Sequence, residues 1–143
     1  MNDLRQTMDN ELKSSVLPVL RSHLFCGSFP HFRRLGECGV DSLTFQFDKW
    51  GGGFVVEIAR CGVDGFTTHW KEHIPAAKVK AWDLHPKDRH RIQPRTGSGT
   101  DSWFRFDNGD VRSAAACFLQ EFARAEAWWQ KHRAPIGEPG TTV

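Results

Sequence analysis

The residues best suited to chemistry in this chain are its histidines, two of which stand four apart in His69-Trp70-Lys71-Glu72-His73. On a helix these two imidazoles would share a face and could bind zinc, with His85 or His90 as a third ligand. The order of residues argues against it. Glu72 directly precedes the second histidine, so the H-E-x-x-H arrangement is absent. Two imidazoles without a cysteine pair make a poor zinc site, so neither a bound metal nor another cofactor is expected. The four cysteines, Cys26, Cys38, Cys61 and Cys117, form no C-x-x-C pair, which excludes zinc-ribbon and thioredoxin chemistry. Cys117 follows three alanines in a helical pattern and reads as a small buried hydrophobe rather than a reactive thiol. Gly51-Gly52-Gly53 lacks the P-loop grammar and precedes a strand, whereas a phosphate cradle needs a helix N-terminus. It reads as a hairpin loop. Gly97-Ser98-Gly99 is not a nucleophile elbow. Glu57 has no recognisable acid/base partner, although it can point outward from its strand toward Gln46. No catalytic residue is assigned, and an enzyme reading rests on the histidines alone.

Binding chemistry is better represented. Lys78, Lys80, Lys87, Arg89, Arg91 and Arg95 lie within residues 78–95, against Asp83 and Asp88. Six basic minus two acidic residues gives a local +4, in a chain whose total is only +2, so the remainder sums to −2. Trp82 lies among these cations. Such a stretch can dock an acidic protein and steer its approach. It can also hold a phosphate backbone and stack a base, or it can be a solvated loop with a few ion pairs to the sheet. The balance of 19 basic and 17 acidic residues does not mark a strongly basic nucleic-acid binder. In Trp128-Trp129, the second indole continues an apolar stripe and the first is rotated ~100° off it. Trp128 is therefore either an interface anchor or packed against the 62–100 stretch. Trp50, in the Lys49–Gly53 loop, is a further candidate contact.

These side chains need elements to position them. The chain has 143 residues, with 39% hydrophobic, 25% charged and 12% aromatic content. That is one globular domain, large enough to fold without a disulfide or metal. Leu4, Met8, Leu12, Val16, Leu20 and Leu24 recur every four residues with Leu17 beside them, predicting an amphipathic helix. Pro18 should kink or divide it, and Cys26-Gly27-Ser28 should end it. His31–Leu35 reads as a short strand. Residues 42–48 alternate, with Leu43, Phe45 and Phe47 on one face and Thr44, Gln46 and Asp48 on the other, predicting a half-buried strand. Phe54–Ala59 is a third strand, rich in β-branched residues. Short turns make these an antiparallel meander. Residues 62–100 carry Pro75, Pro86 and Pro94 without a clear period and read as an irregular excursion, with a flexible tip at Thr96–Thr100. Trp103–Phe106 reads as a fourth strand. Asp110 caps a helix whose stripe is Ala115, Phe118, Phe122, Ala125 and Trp129, ending near His132.

The order of elements, with certain steps along it, resembles a bacterial family of small proteins, the domain of unknown function 4304 family. The steps are Leu17-Pro18-Val19-Leu20, Phe25 with Gly27, Phe32-Arg33, and Leu43-Thr44-Phe45-Gln46. They continue with Arg89, Arg91 and Ile92, then Asp101, Trp103 and Phe104. The resemblance runs roughly from Leu12 to Trp129, and the chain departs from the family at Gly51-Gly52-Gly53 and in its His-rich excursion. It implies a fold rather than an activity. By analogy alone, small proteins of this type resemble toxin-neutralising immunity proteins.

The expectation is an α+β domain over residues 1–133, an antiparallel meander covered on one face by N- and C-terminal helices, with a flexible tail at 134–143. A polar Met1–Gln6 without an apolar core is not a secretory signal, and no apolar run is long enough to span a bilayer. A cytoplasmic protein with reduced thiols follows. The expected role is non-enzymatic binding of an acidic protein, in the manner of an immunity-type inhibitor of a toxin. Lys87, Arg89, Arg91, Trp82, Trp128 and Trp50 are the expected contacts. The alternative is nucleic-acid or phosphorylated-ligand binding through residues 78–95.

Overall fold

The computed structural model describes residues 3–94 and 103–141, with side chains as far as His132. The chain opens with α1 (Asp3–Glu11), a wide π turn (Leu12–Val16) and α2 (Leu17–Ser22). In the π turn the Leu17 N–H reaches back to Leu12 O. Pro18 falls in the first turn of α2, where its missing N–H is an orphan in any case. The proline therefore divides the segment without breaking its apolar stripe: Met8, Leu12, Val16 and Leu20 are all buried. The stripe stops one step earlier than its periodicity predicts. Leu24 takes a left-handed conformation (φ 74°) and is exposed, because the chain must turn there into the sheet.

Among the described residues eight strands follow: β1 (Cys26–Ser28), β2 (His31–Leu35), β3 (Val40–Phe47), β4 (Gly53–Cys61), β5 (Phe66–Thr67), β6 (His73–Ile74), β7 (Arg89–Ile92) and β8 (Phe104–Arg105). The main sheet is antiparallel, in the order β1-β2-β3-β4-β7, with β8 also pairing β4. Cys26–Ser28 does not merely end the first helical segment; it pairs with His31–Arg33 as an edge strand. The β3–β4 hairpin turns at Asp48–Gly52, where Gly51 N–H donates to Asp48 O and Asp48 N–H to Gly53 O. The last helix, α3, spans Val111–Thr141 and opens with an Asp110 cap, whose Oδ1 accepts from Ser113 N–H at 3.0 Å. It runs past His132, where the apolar stripe had placed its end. Proline removes one donor, but its fixed φ is compatible with a helical path.

The main core lies between the sheet and the helices from both ends of the chain, as an α+β fold with terminal covering helices requires. Phe45 packs on Phe118 (ring centroids 5.6 Å apart), Phe118 on Phe122 (6.2 Å) and Phe54 on Phe104 (5.1 Å). Phe47 is half-buried at the rim, with the Arg5 guanidinium 3.5 Å over its ring. Trp129 is fully buried and donates through Nε1 to Ala59 O at 3.0 Å. The expected half-buried β3 differs: Val40, Ser42 and Thr44, on the face away from the helices, are buried too. A second, smaller apolar cluster covers that face, formed by Val40, Ala59, Val79, Ala81 and Leu84. The irregular excursion supplies the last three, so the sheet is sandwiched rather than covered on one side only. Thr96–Thr100 lies outside the described residues.

Candidate partner-binding surface

The excursion is held on the outer face of the sheet by polar bonds from the strands beneath it. The Arg33 guanidinium donates through Nε to Val79 O at 2.8 Å. Ala81 N–H donates to Thr44 Oγ1 at 3.2 Å, and Arg89 Nε to Leu84 O at 2.9 Å. A 3-10 turn at Ala81–Asp83 follows, with Asp83 Oδ2 accepting from Lys80 N–H at 2.8 Å. Alternation within this short turn buries Ala81 and turns Trp82 outward, against the His31 ring at 4.8 Å. The small β5–β6 hairpin stands beside it. Its tip is tied by Thr68, whose Oγ1 accepts from Glu72 N–H at 3.0 Å, while Lys71 takes a left-handed conformation. Gly65 makes the close approach possible: a Cβ there would lie 2.0 Å from Ile74 O.

The result is a groove of about 340 Å³ between the hairpin and the 3-10 turn, with Trp70, Glu72, Lys78, Lys80, Trp82 and Asp83 on its walls. Trp70 is 62% exposed and Trp82 43%. Trp70 Nε1 donates to Glu72 Oε1 at 3.1 Å, which fixes the indole in place. Burial, with Lys80 and Arg33 adding to it against Asp83, holds the imidazole of His31, which packs on Trp82, below its ordinary pKa. Lys78 and Lys80 form no ion pair with any described residue. Two exposed indoles beside Lys78 and Lys80, with Glu72 and Asp83 each already accepting a hydrogen bond, suit a partner that offers acidic and hydrophobic side chains.

The six contacts expected from the sequence do not converge on one patch. Trp82 lies in this groove. Arg91, on β7, is bonded through Nε to Glu57 at 2.8 Å, and Glu57 is only 5% exposed. Arg89 is spent on Leu84 O. Arg89 therefore ties the outer layer to the sheet, and Arg91 joins β7 to β4 within it. Lys87 is exposed on the Pro86–Asp88 turn and shares a separate cleft with Trp128. Trp128 is half-buried and stacked on His90 (5.9 Å) and on His132 (3.9 Å). It packs against β7 rather than standing free. Trp50 is 85% exposed on the β3–β4 turn, at the end of β4 away from Cys61. Trp70 was missed because it was read only as a neighbour of the histidines.

The histidine pair does not sit on a helix. His73 belongs to β6, and its Nδ1 is 2.9 Å from Thr67 Oγ1, while His69 packs edge-on against Trp70 at 4.8 Å. Among the described residues no group of three or more His, Cys, Asp or Glu side chains is placed to hold a metal ion. Nor is any helix among them long and apolar enough to cross a membrane.

The family profile described as Domain of unknown function (DUF4304) matches residues 3–132. The chain belongs to this family. No curated protein and no solved structure matches it. In this DUF4304 domain the matched span takes in all eight strands and the described side chains of α3. Both the groove and the Trp128 cleft therefore lie within the family's own fold.

The cleft at Trp128 measures about 430 Å³ and is lined by β4 (Arg60, Cys61), by the excursion (Phe66, Leu84, Lys87) and by α3 (Trp128, His132), among others. The Arg60 side chain is 6% exposed and its Nη1 pairs with Asp41, which also pairs with Arg34. Its Nε–H is buried and has no acceptor among the described residues. A buried donor left in that state costs about 1–3 kcal/mol. Burial pushes the neighbouring Cys61 thiol up to about 11, so it is neither an anion nor a nucleophile at neutral pH.

Proposed function

We propose that this DUF4304 domain is a non-enzymatic protein-binding domain that docks an acidic partner on the Trp70–Trp82 groove, in the manner of an immunity-type inhibitor neutralising a toxin. One observation carries this reading. Two indoles, 62% and 43% exposed, share one groove with Lys78 and Lys80, neither of which forms an ion pair with a described residue. Exposed tryptophans cost solvation and are enriched where partners dock. The ammonium groups of Lys78 and Lys80 beside them can pair with acidic side chains at close range, while Glu72 and Asp83 on the same walls leave the groove without net charge. The rest of the outer face supports the same reading, because Arg33 and Arg89 are committed to holding the excursion in place and leave the groove preformed.

The test is a pull-down and binding assay against the product of the adjacent gene, with the wild type and a Trp70→Ala/Trp82→Ala variant. The expected outcome is a complex that the double substitution weakens at least a hundredfold with the melting transition intact. Lys78→Ala/Lys80→Ala should slow association, and the effect should fade above about 0.15 M salt, where the Debye length is about 8 Å. Binding that survives the double tryptophan substitution would place the interface elsewhere. Shifted oligonucleotides with a steep salt slope would favour a nucleic-acid ligand instead.

A further inference from the structure

We propose that the cleft between the edge strand β1 and the excursion binds a phosphate dianion, free or as the end group of a small phosphate ester. The cleft measures about 380 Å³, and Gly27, Ser28, His31, Arg33, Lys78 and Lys80 are among its walls. Three of these side chains are cations at neutral pH, and none of the described lining residues is a carboxylate. Lys78 and Lys80 also line the Trp70–Trp82 groove, where Glu72 and Asp83 offset them. On the β1 side they stand beside Arg33 instead. The turn that sets Lys78 at this rim is closed by its own N–H, which donates to Pro75 O at 2.9 Å.

Arg33 carries the second observation. Its neighbour Phe32 is buried among the core residues, so alternation along β2 sends Arg33 to the outer face, beneath the excursion. It is only 9% exposed, and its Nε is committed to Val79 O at 2.8 Å. Its two Nη groups have no acceptor among the described residues. They are not sealed from solvent either: among those residues the buried side-chain donor or acceptor without a partner is Arg60 Nε. Gly27 gives the guanidinium its place. With φ at 116° and no side chain, it lies so close that a Cβ there would be 3.2 Å from Arg33 Nη1. A guanidinium held through Nε presents its remaining donors as a planar fork that matches two phosphate oxygens. The lysine ammonium groups add point charges for the other oxygens. Charge then selects among oxyanions. A carboxylate would answer one of the three cations, whereas a phosphate monoester carries about −1.5 to −2 at neutral pH and three strong acceptor oxygens.

The experiment titrates the full chain with inorganic phosphate, methyl phosphate and acetate at constant ionic strength, read by calorimetry and by NMR of the assigned histidines. Phosphate or its ester should saturate a site at millimolar concentration, with acetate at least about tenfold weaker. Preference between the two phosphates tells free anion from ester. Burial first, then Lys80 and Arg33, hold the His31 pKa down, so a dianion bound among these groups should raise it. Ser28 is exposed, and Ser28→Glu sets a carboxylate at the mouth of the cleft. That variant should lose phosphate binding with its melting temperature intact. Arg33→Lys should weaken binding about tenfold, and Ser28→Glu keeps the test decisive if the lysine variant fails to fold. Trp70 lines the groove and not this cleft, so Trp70→Ala should leave phosphate affinity unchanged. Absence of saturable binding, equal binding of acetate, an unmoved His31 titration or undiminished binding to Ser28→Glu would each overturn the proposal. So would loss of phosphate binding in Trp70→Ala, which would put the anion in the groove. None of these outcomes decides whether a protein docks on that groove.

Discussion

His31 and His90 are the side chains through which pH acts on this fold most directly. His31 sits between Trp82 and Thr44, with its Nδ1 3.1 Å from Thr44 Oγ1. Burial first, then Lys80 and Arg33, lower its pKa, while Asp83 opposes them. His90, stacked on Trp128, is lowered by burial, then by Arg124 and His132, with Glu57 opposing. Both imidazoles thus hold protons less tightly in the folded chain than in the unfolded one. In the window between the ordinary value of about 6.5 and the lowered one, the unfolded state binds more protons, so stability rises with pH. The contribution is complete above about pH 6.5 and is lost as pH falls through the lowered values. Melting temperatures should therefore drop between about pH 7 and pH 5, and a His31→Asn/His90→Asn variant should show a shallower drop over the same interval. An unchanged slope in that variant would assign the pH response to carboxylates instead. Sequence alone does not reveal these shifts, because they arise from neighbours as distant in the chain as Lys80 and Arg124.

At the level of elements, a column of aromatic rings joins the sheet to α3. Phe118 is fully buried and touches Phe45, Phe104 and Phe122. Phe118→Ala should cost about 3–5 kcal/mol, read by urea unfolding, with the m-value unchanged. A cost below ~1 kcal/mol would mean that the helix is held from elsewhere. This much was legible in the sequence. Strict alternation at Leu43, Phe45 and Phe47 marked the face of β3, and the i+3/i+4 spacing of Ala115, Phe118 and Phe122 marked the face of α3, because each period is a local property. The covering of the opposite face was not legible. Val79, Ala81 and Leu84 are too few and too irregularly spaced to show a period, and their anchors reach far across the chain, as in Arg33 to Val79. For the same reason β7 was hidden. Arg89–Ile92 lacks β-branched alternation and becomes a strand only because β4 offers it an open edge, with Glu57 opposite Arg91. The candidate site suffered more, since a run of basic residues records their count and not which of them the fold consumes.

Across the whole molecule the two kinds of cation have separated into two roles. Arg34, Arg60, Arg91 and Arg124 are each bonded to a carboxylate, and Arg33 and Arg89 to backbone carbonyls that pin the excursion. Lys71, Lys78, Lys80 and Lys87, all on the excursion, form no ion pair with a described residue. The difference follows from chemistry. Guanidinium offers several fixed donors and tolerates partial burial, while the strongly hydrated ammonium keeps to water. The excursion is thus fastened by arginines and presents lysines outward, so stability and surface charge can be altered independently. Charge reversal at Lys78, Lys80 and Lys87 to glutamate should leave the unfolding free energy within about 0.5 kcal/mol per site, as for ordinary surface substitutions. Arg91→Ala should behave differently despite its half-exposed side chain. It leaves the Glu57 carboxylate buried beside β7 without its partner. Losing one partner of a fully buried pair costs about 3–5 kcal/mol, and the exposure of the Arg91 side chain reduces that to about 1–2 kcal/mol. Glu57→Gln should recover part of the loss in the Arg91→Ala background, because a neutral amide needs no counter-charge. Denaturant unfolding of the four proteins at low and at high salt checks the argument. If the lysine reversals destabilise as much as Arg91→Ala, the division of labour between the two cations fails.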